Sequence, residues 1–63
     1  MPIAHIHMLE GRSEEQKAAV IAKVTEALVE AVGVPRETVR VLIQDLPKSN
    51  WGIGGQSVKA LGR

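Results

Sequence analysis

The chain has no cysteine, no phenylalanine and no tyrosine, and Trp51 is its single Phe/Trp/Tyr residue. Without cysteine no disulfide can staple the fold, and two histidines with no thiol fall short of a structural zinc site. Charge of neither sign dominates. Eight Lys and Arg face seven Asp and Glu, the net charge is +1, and the basic residues are dispersed. That pattern leaves no electrostatic footprint for a nucleic acid or an anionic membrane surface. No apolar run approaches the roughly eighteen residues of a spanning helix, and the N-terminus lacks the basic start and long apolar stretch of a signal peptide. The expectation is a soluble cytoplasmic protein with neither nucleic acid nor membrane as partner, and with no metal or other cofactor.

What is present is apolar content in a very short chain. Residues 1–63 make one domain, and 44% of them are hydrophobic, mostly Val, Ala, Ile and Leu. A chain of this size buries too little apolar surface on its own and recruits help. With disulfides and zinc excluded, self-association is the remaining route.

The first residues organise the rest. Met1-Pro2-Ile3-Ala4-His5-Ile6-His7-Met8 reads as a strand with proline directly behind the initiator methionine. Trimming of Met1 would leave Pro2 with a free secondary amine, a base whose pKa falls towards neutrality in an apolar pocket beside cations. The plainer alternative is that proline merely opens a strand, where it costs no ladder hydrogen bond. If Met1 is retained, the Pro2 nitrogen is an amide and no base. The two-residue period puts Ile3, His5, His7 and Leu9 on one face and Pro2, Ala4, Ile6 and Met8 on the other. The second, wholly apolar face is the core candidate. His5 and His7 share a face, either as the start of a metal site that lacks a third ligand or as two polar residues at an interface or in solvent.

Ser13-Glu14-Glu15-Gln16 has the form of a capping box, so a helix should run from Glu14 to Val32. Ile21, Val24, Leu28 and Ala31 or Val32 recur on its apolar side, with Lys23, Glu26 and Glu30 opposite. Gly33 supplies the C′ residue and Pro35 stops continuation. After a turn at Val34 to Thr38, Val39 to Leu46 alternates as a second strand, with Val39, Val41 and Ile43 on one face and Arg40, Leu42, Gln44 and Leu46 on the other. Strand, long helix and strand make a βαβ unit with parallel strands and a right-handed crossover. One helix covers one face of the sheet, and the bare face needs a copy of the chain. Trp51-Gly52-Ile53-Gly54-Gly55 lacks the Lys-Ser/Thr ending of a phosphate loop and fits a tight hairpin. Gln56 to Arg63 is a short strand or a packed tail.

No Ser or Cys triad and no carboxylate dyad can be assembled from these residues. Arg40 is the odd residue, because its apolar neighbours imply burial and a buried guanidinium needs an anion. That anion is either an acidic residue of another subunit or a carboxylate substrate. Pro2-Ile3-Ala4 with Ile6-His7, Leu9-Glu10-Gly11-Arg12-Ser13 with Glu15-Gln16-Lys17, Val39-Arg40-Val41 and Gly52-Ile53-Gly54-Gly55 are together highly specific. On these pieces the chain resembles the 4-oxalocrotonate tautomerase family over essentially its whole length.

The resemblance implies an α+β fold: a βαβ protomer with a short C-terminal hairpin, sheets joined across dimers, and three dimers in a homohexamer. It also implies an isomerase that ketonises 2-hydroxymuconate-type dienols to conjugated 2-oxo acids. By that resemblance Pro2 is the general base and acid, and Arg40 binds one carboxylate with the adjacent 2-oxygen and polarises it. Arg12 clamps the far carboxylate, and Leu9 and Thr38 contact substrate. Trp51 stands where the family usually has phenylalanine, in the apolar wall that lowers the proline pKa; indole is larger but similarly apolar. These side chains come from more than one subunit in the family's hexamer. Dehalogenation or decarboxylation of a small acid is the alternative within the superfamily, but Gly52-Ile53-Gly54 offers no acid to activate water. A non-catalytic oligomeric binder of small acids is the reading if Met1 stays.

Overall fold

Alternation in the first residues and a capped helix behind them produce the framework of the computed structural model, which describes residues 1–63. Strand β1 (Ile3–Leu9) is followed by helix α1 (Glu14–Val32), strand β2 (Arg40–Leu46) and two short strands, β3 (Gly52–Ile53) and β4 (Gln56–Ser57). β1 and β2 pair in parallel, with Ile3 opposite Arg40, Ile6 opposite Ile43 and Leu9 opposite Leu46. The expected βαβ unit is therefore present. β2 begins at Arg40 and not at Val39, because the preceding residues Arg36–Thr38 close a single 3-10 turn and the Val39 amide donates to the Arg36 carbonyl at 3.1 Å.

The helix bounds follow from local chemistry. Ser13 Oγ accepts from the Gln16 amide at 3.1 Å, and Gln16 Oε1 accepts from the Ser13 amide at 3.0 Å, the reciprocal pair of a capping box. At the other end Gly33, at φ 75°, takes the left-handed conformation and its amide donates to the Val29 carbonyl at 2.9 Å. The side turned inward is Val20, Val24, Thr25, Leu28 and Val29, all half-buried. Ile21 and Val32, expected on that side, are exposed, Val32 at 57%. Two strands are too narrow to cover the full apolar stripe of a helix, so its flanks stay open in the protomer. Lys17 in the first turns of α1 forms an ion pair with Asp45 of β2, which ties the helix start to the far end of the sheet.

On the sheet, Ala4, Ile6, Met8, Val41 and Ile43 are half-buried beneath the helix, as the period-two pattern requires. Ile3, His5, His7, Leu42 and Gln44 on the opposite face are exposed. β3 and β4 form an antiparallel hairpin joined by Gly54 and Gly55, at φ 60° and 90°. Positive φ at both central residues is the type I′ condition, which glycine meets without strain. Val58, directly after β4, is the one buried residue, and its amide donates to the Trp51 carbonyl at 2.7 Å. No helix is long and apolar enough to cross a membrane.

One chain does not close a core. Its accessible surface is 4641 Å², against about 3,950 Å² for a folded monomer of this mass. Its radius of gyration is 14.6 Å, against about 10.6 Å for a compact domain of this length.

Candidate active site

Pro2 stands at the mouth of β1. Its carbonyl accepts from the Arg40 amide at 2.9 Å, which extends the β1–β2 ladder by one bond and fixes the residue. The ring is half-buried on the helix side with Ala4 and Ile6, whereas Met1 ahead of it is 72% exposed. With Met1 attached, the nitrogen is an amide; with Met1 removed, it is a secondary amine held at the end of a paired strand. Arg40 lies beside Pro2 along the backbone, but its side chain leaves the opposite, bare face of the sheet. Its Nη1 donates to the Glu37 carbonyl at 2.7 Å and to the Val39 carbonyl at 3.5 Å. The Nε and Nη2 edge is thus the side available for a bidentate anion. Thr38 is at this same end, with its hydroxyl donating to the Pro35 carbonyl at 2.7 Å.

The burial expected of Arg40 is not found in the protomer, where the residue is exposed and pairs with no carboxylate. The apolar neighbours Val39 and Val41 do not surround it because adjacent strand residues point to opposite faces. Val41 lies under the helix, while Arg40 shares the uncovered face with Ile3 and Leu42.

Leu9 and Arg12 lie at the other end of the sheet, and Trp51 follows beyond the end of β2. Leu9 closes β1 and is half-buried opposite Leu46. Gly11, at φ 113°, then turns the chain out of the strand and presents Arg12 exposed just ahead of the helix cap. Because β2 runs parallel to β1, it also ends there, and the short 3-10 turn Lys48–Asn50 leads to a half-buried Trp51. At about 3.3 Å per residue the two ends of β1 are roughly 20 Å apart. A small dicarboxylate is far shorter than that. The residues singled out from sequence therefore form separate groups within one chain: Pro2 with Thr38, Arg40 on the reverse face, and Leu9 with Arg12 and Trp51 at the far end.

The concavity of the protomer lies elsewhere, along α1 between Ala22, Lys23, Glu26, Ala27, Glu30 and Ala31, and none of the candidate residues lines it. His5 and His7 stack at 4.8 Å between ring centroids on the bare face, and no group of three or more His, Asp or Glu gathers there or elsewhere.

Residues 2–61 match the family model described as tautomerase enzyme. The chain belongs to the tautomerase family. A 2-hydroxymuconate tautomerase from Comamonas testosteroni is 71% identical over 63 residues, covering both chains completely. Among solved structures, one of the 4-oxalocrotonate tautomerase isozymes from Methylibium petroleiphilum is similar at a TM-score of 0.94 and 68% identity, covering 98% of this chain and 100% of that one. A heterohexamer 4-oxalocrotonate tautomerase from Chloroflexus aurantiacus J-10-fl follows at a TM-score of 0.91 and 43% identity, covering 97% and 98%.

A tautomerase is an isomerase. It takes a proton from one atom of its substrate and returns one to another as a double bond shifts, so it needs a base that becomes an acid and a cation where negative charge gathers. In this tautomerase the sequence pointed to Pro2 and the two arginines, but not to what holds Arg40. Glu37 supplies a backbone acceptor, and Arg36, next in chain, forks onto Glu26 of α1. Glu26 and Arg36 lie ten residues apart across the Gly33 to Pro35 turn, and no periodicity pairs them.

Proposed function

We propose that the protein ketonises 2-hydroxymuconate, or a closely related dienol diacid, to the conjugated 2-oxo acid, with Pro2 as the proton carrier once Met1 has been removed. The observation that carries this reading is the setting of Pro2: half-buried at the paired end of β1, its carbonyl held by the Arg40 amide at 2.9 Å, directly behind an exposed methionine. The names of the full-length relatives support the substrate class. In the reaction the Pro2 amine takes the proton of the 2-hydroxyl, the electron pair on oxygen becomes the carbonyl, and the double bonds shift. The prolinium then returns a proton to the distant carbon. No net proton or electron is gained or lost.

Arg40 carries the Nε and Nη2 edge that binds the near carboxylate with the 2-oxygen and stabilises the charge that oxygen gains. Arg12 holds the far carboxylate, and Leu9, Thr38 and Trp51 shape the contact surface around the diacid. A typical α-amino pKa is about 7.7 to 8.0 and a proline amine lies higher, so the cations and the apolar indole wall serve to lower it into a useful range.

The separation of these groups within one chain supports a site assembled from several copies. Pro2 of one protomer would meet Arg12, Leu9 and Trp51 from the far end of a second, and the reverse-face Arg40 of a neighbour. We take the assembly to be a homohexamer, a trimer of dimers whose sheets join, in keeping with the heterohexamer formed by one of the similar structures.

The test is the loss of 2-hydroxymuconate absorbance with purified protein whose mass proves that Met1 is absent. The processed enzyme should turn over, and a form with a residue fixed ahead of Pro2 should keep its fold and assembly while losing at least about a hundredfold in rate. Full activity with a proven N-terminal extension would remove proline from the mechanism.

A further inference from the structure

Arg40 is oriented before any substrate arrives, and the orientation is passed along a chain of contacts from the helix. The carbonyl that holds its Nη1 at 2.7 Å belongs to Glu37, inside the single 3-10 turn Arg36–Thr38. A turn that short has little of its own to keep it in place: Thr38 donates to the Pro35 carbonyl through its amide at 3.1 Å and its hydroxyl at 2.7 Å, and Val39 donates to the Arg36 carbonyl at 3.1 Å. A fork ties it to the helix. Arg36 Nε and Nη2 donate to the two carboxylate oxygens of Glu26 at 2.6 and 2.9 Å, and Glu26 stands well inside the 19 residues of α1.

We propose that the Glu26–Arg36 fork positions Arg40 for substrate, by fixing the turn whose Glu37 carbonyl holds one corner of its guanidinium. The inference rests on the reading of Arg40 as the residue that polarises the substrate oxygen. Exposed ion pairs generally do little for stability, and this pair is exposed, at 59% and 50% for its two side chains. A fork differs in geometry: two parallel bonds between planar groups fix orientation as well as distance. The hydrogen bond and charge of Arg36 hold the Glu26 carboxyl below its usual range, and the same contact raises the Arg36 guanidinium, so both partners stay ionised at neutral pH. Glu26 and Arg36 are positioning residues, acting through Glu37 and Arg40, and neither touches substrate.

The experiment is a mutant cycle on 2-hydroxymuconate ketonisation by the Met1-processed enzyme, with sedimentation and thermal melting followed alongside. Arg36→Ala and Glu26→Ala are each expected to lower kcat/KM about three- to tenfold through misplacement of Arg40, with assembly unchanged and the protein fully folded at the assay temperature. Arg36→Lys, which cannot fork, should regain only part of the loss, and the reversed pair Glu26→Arg with Arg36→Glu most of it. In an Arg40→Ala background, Arg36→Ala should have no further effect, because the group it positions is gone. An equal loss in both backgrounds, no loss in either, or a loss that follows dissociation or melting would overturn the proposal. Retention of full kcat/KM by Arg40→Ala alone would instead overturn the reading of Arg40 on which it rests.

Discussion

Arg12 and Arg40 carry the same charge and are held in different ways. Arg40 is fixed by a carbonyl at 2.7 Å beside the mouth of β1, whereas Arg12 projects unpaired from a glycine turn at the opposite end. On the proposed reading Arg40 stands next to the oxygen that gains charge and acts mainly in the transition state, so Arg40→Ala should lower kcat and kcat/KM together by about a hundredfold or more. On the same proposed reading Arg12 holds a remote carboxylate equally in ground and transition states. Its replacement by alanine should raise KM for a dicarboxylate dienol far more than it lowers kcat, and should matter little for a monocarboxylate dienol. Steady-state kinetics of both variants on both substrates separates the roles. An Arg12→Ala variant that damages the monocarboxylate reaction equally would make Arg12 a modulator of Pro2. These residues were legible as candidates because each stands in a recognisable local setting, Pro2 behind Met1 and Arg12 in Leu9-Glu10-Gly11-Arg12-Ser13. The exposure of Arg40 was not, because it depends on which sheet face the helix covers. The Glu26–Arg36 contact was not legible either, since it joins residues on two sides of a turn whose geometry no periodicity encodes.

At the scale of elements, what reads directly from sequence is what closes within a few residues. The capping box at Ser13 and Gln16, the left-handed Gly33 and the Gly54-Gly55 hairpin each stand where their chemistry requires. Which way α1 faces was read less well, because Ile21 and Val32 lie on the apolar side of the sequence pattern while the two-stranded sheet reaches only part of that side. The cap gives a direct check. Ser13→Ala leaves the Gln16 amide without its acceptor and should cost about 1 kcal/mol of stability per chain, measured by denaturation at fixed protein concentration. The Glu26–Arg36 contact gives a second. Because the folded Glu26 pKa lies below its unfolded value, its contribution is present above the unfolded pKa and is lost as pH falls through the folded one. Arg36, raised, would lose its own only in strong alkali. Any melting deficit of Glu26→Gln should therefore be seen at neutral pH and vanish in acid; a deficit that grows on acidification would mean that the variant disturbs something other than this pair.

At the scale of the whole molecule, the protomer is an open framework with its candidate site residues held apart. A bare sheet face with Ile3 and Leu42 exposed, a single buried residue and a radius of gyration well above that of a compact domain all require another copy. The same geometry that leaves the core open also separates Pro2 from Arg12 by the length of β1. On the proposed reading burial and catalysis have one solution, in which copies cover each other's sheets and bring opposite ends together. This can be tested without a structure of the assembly. A variant with a residue fixed ahead of Pro2 has an intact Arg12 and no base; Arg12→Ala has a base and no far clamp. Each alone should be poor in kcat/KM on the dicarboxylate. Co-expressed in equal amounts and randomly mixed, they should form hybrid assemblies in which about a quarter of sites draw an intact Pro2 from one copy and an intact Arg12 from another, since the two choices are independent. Those sites should restore about a quarter of the wild-type kcat/KM. If Pro2 and Arg12 of one site came from one chain, no mixture would hold both, and the hybrids would be no better than the average of their parents.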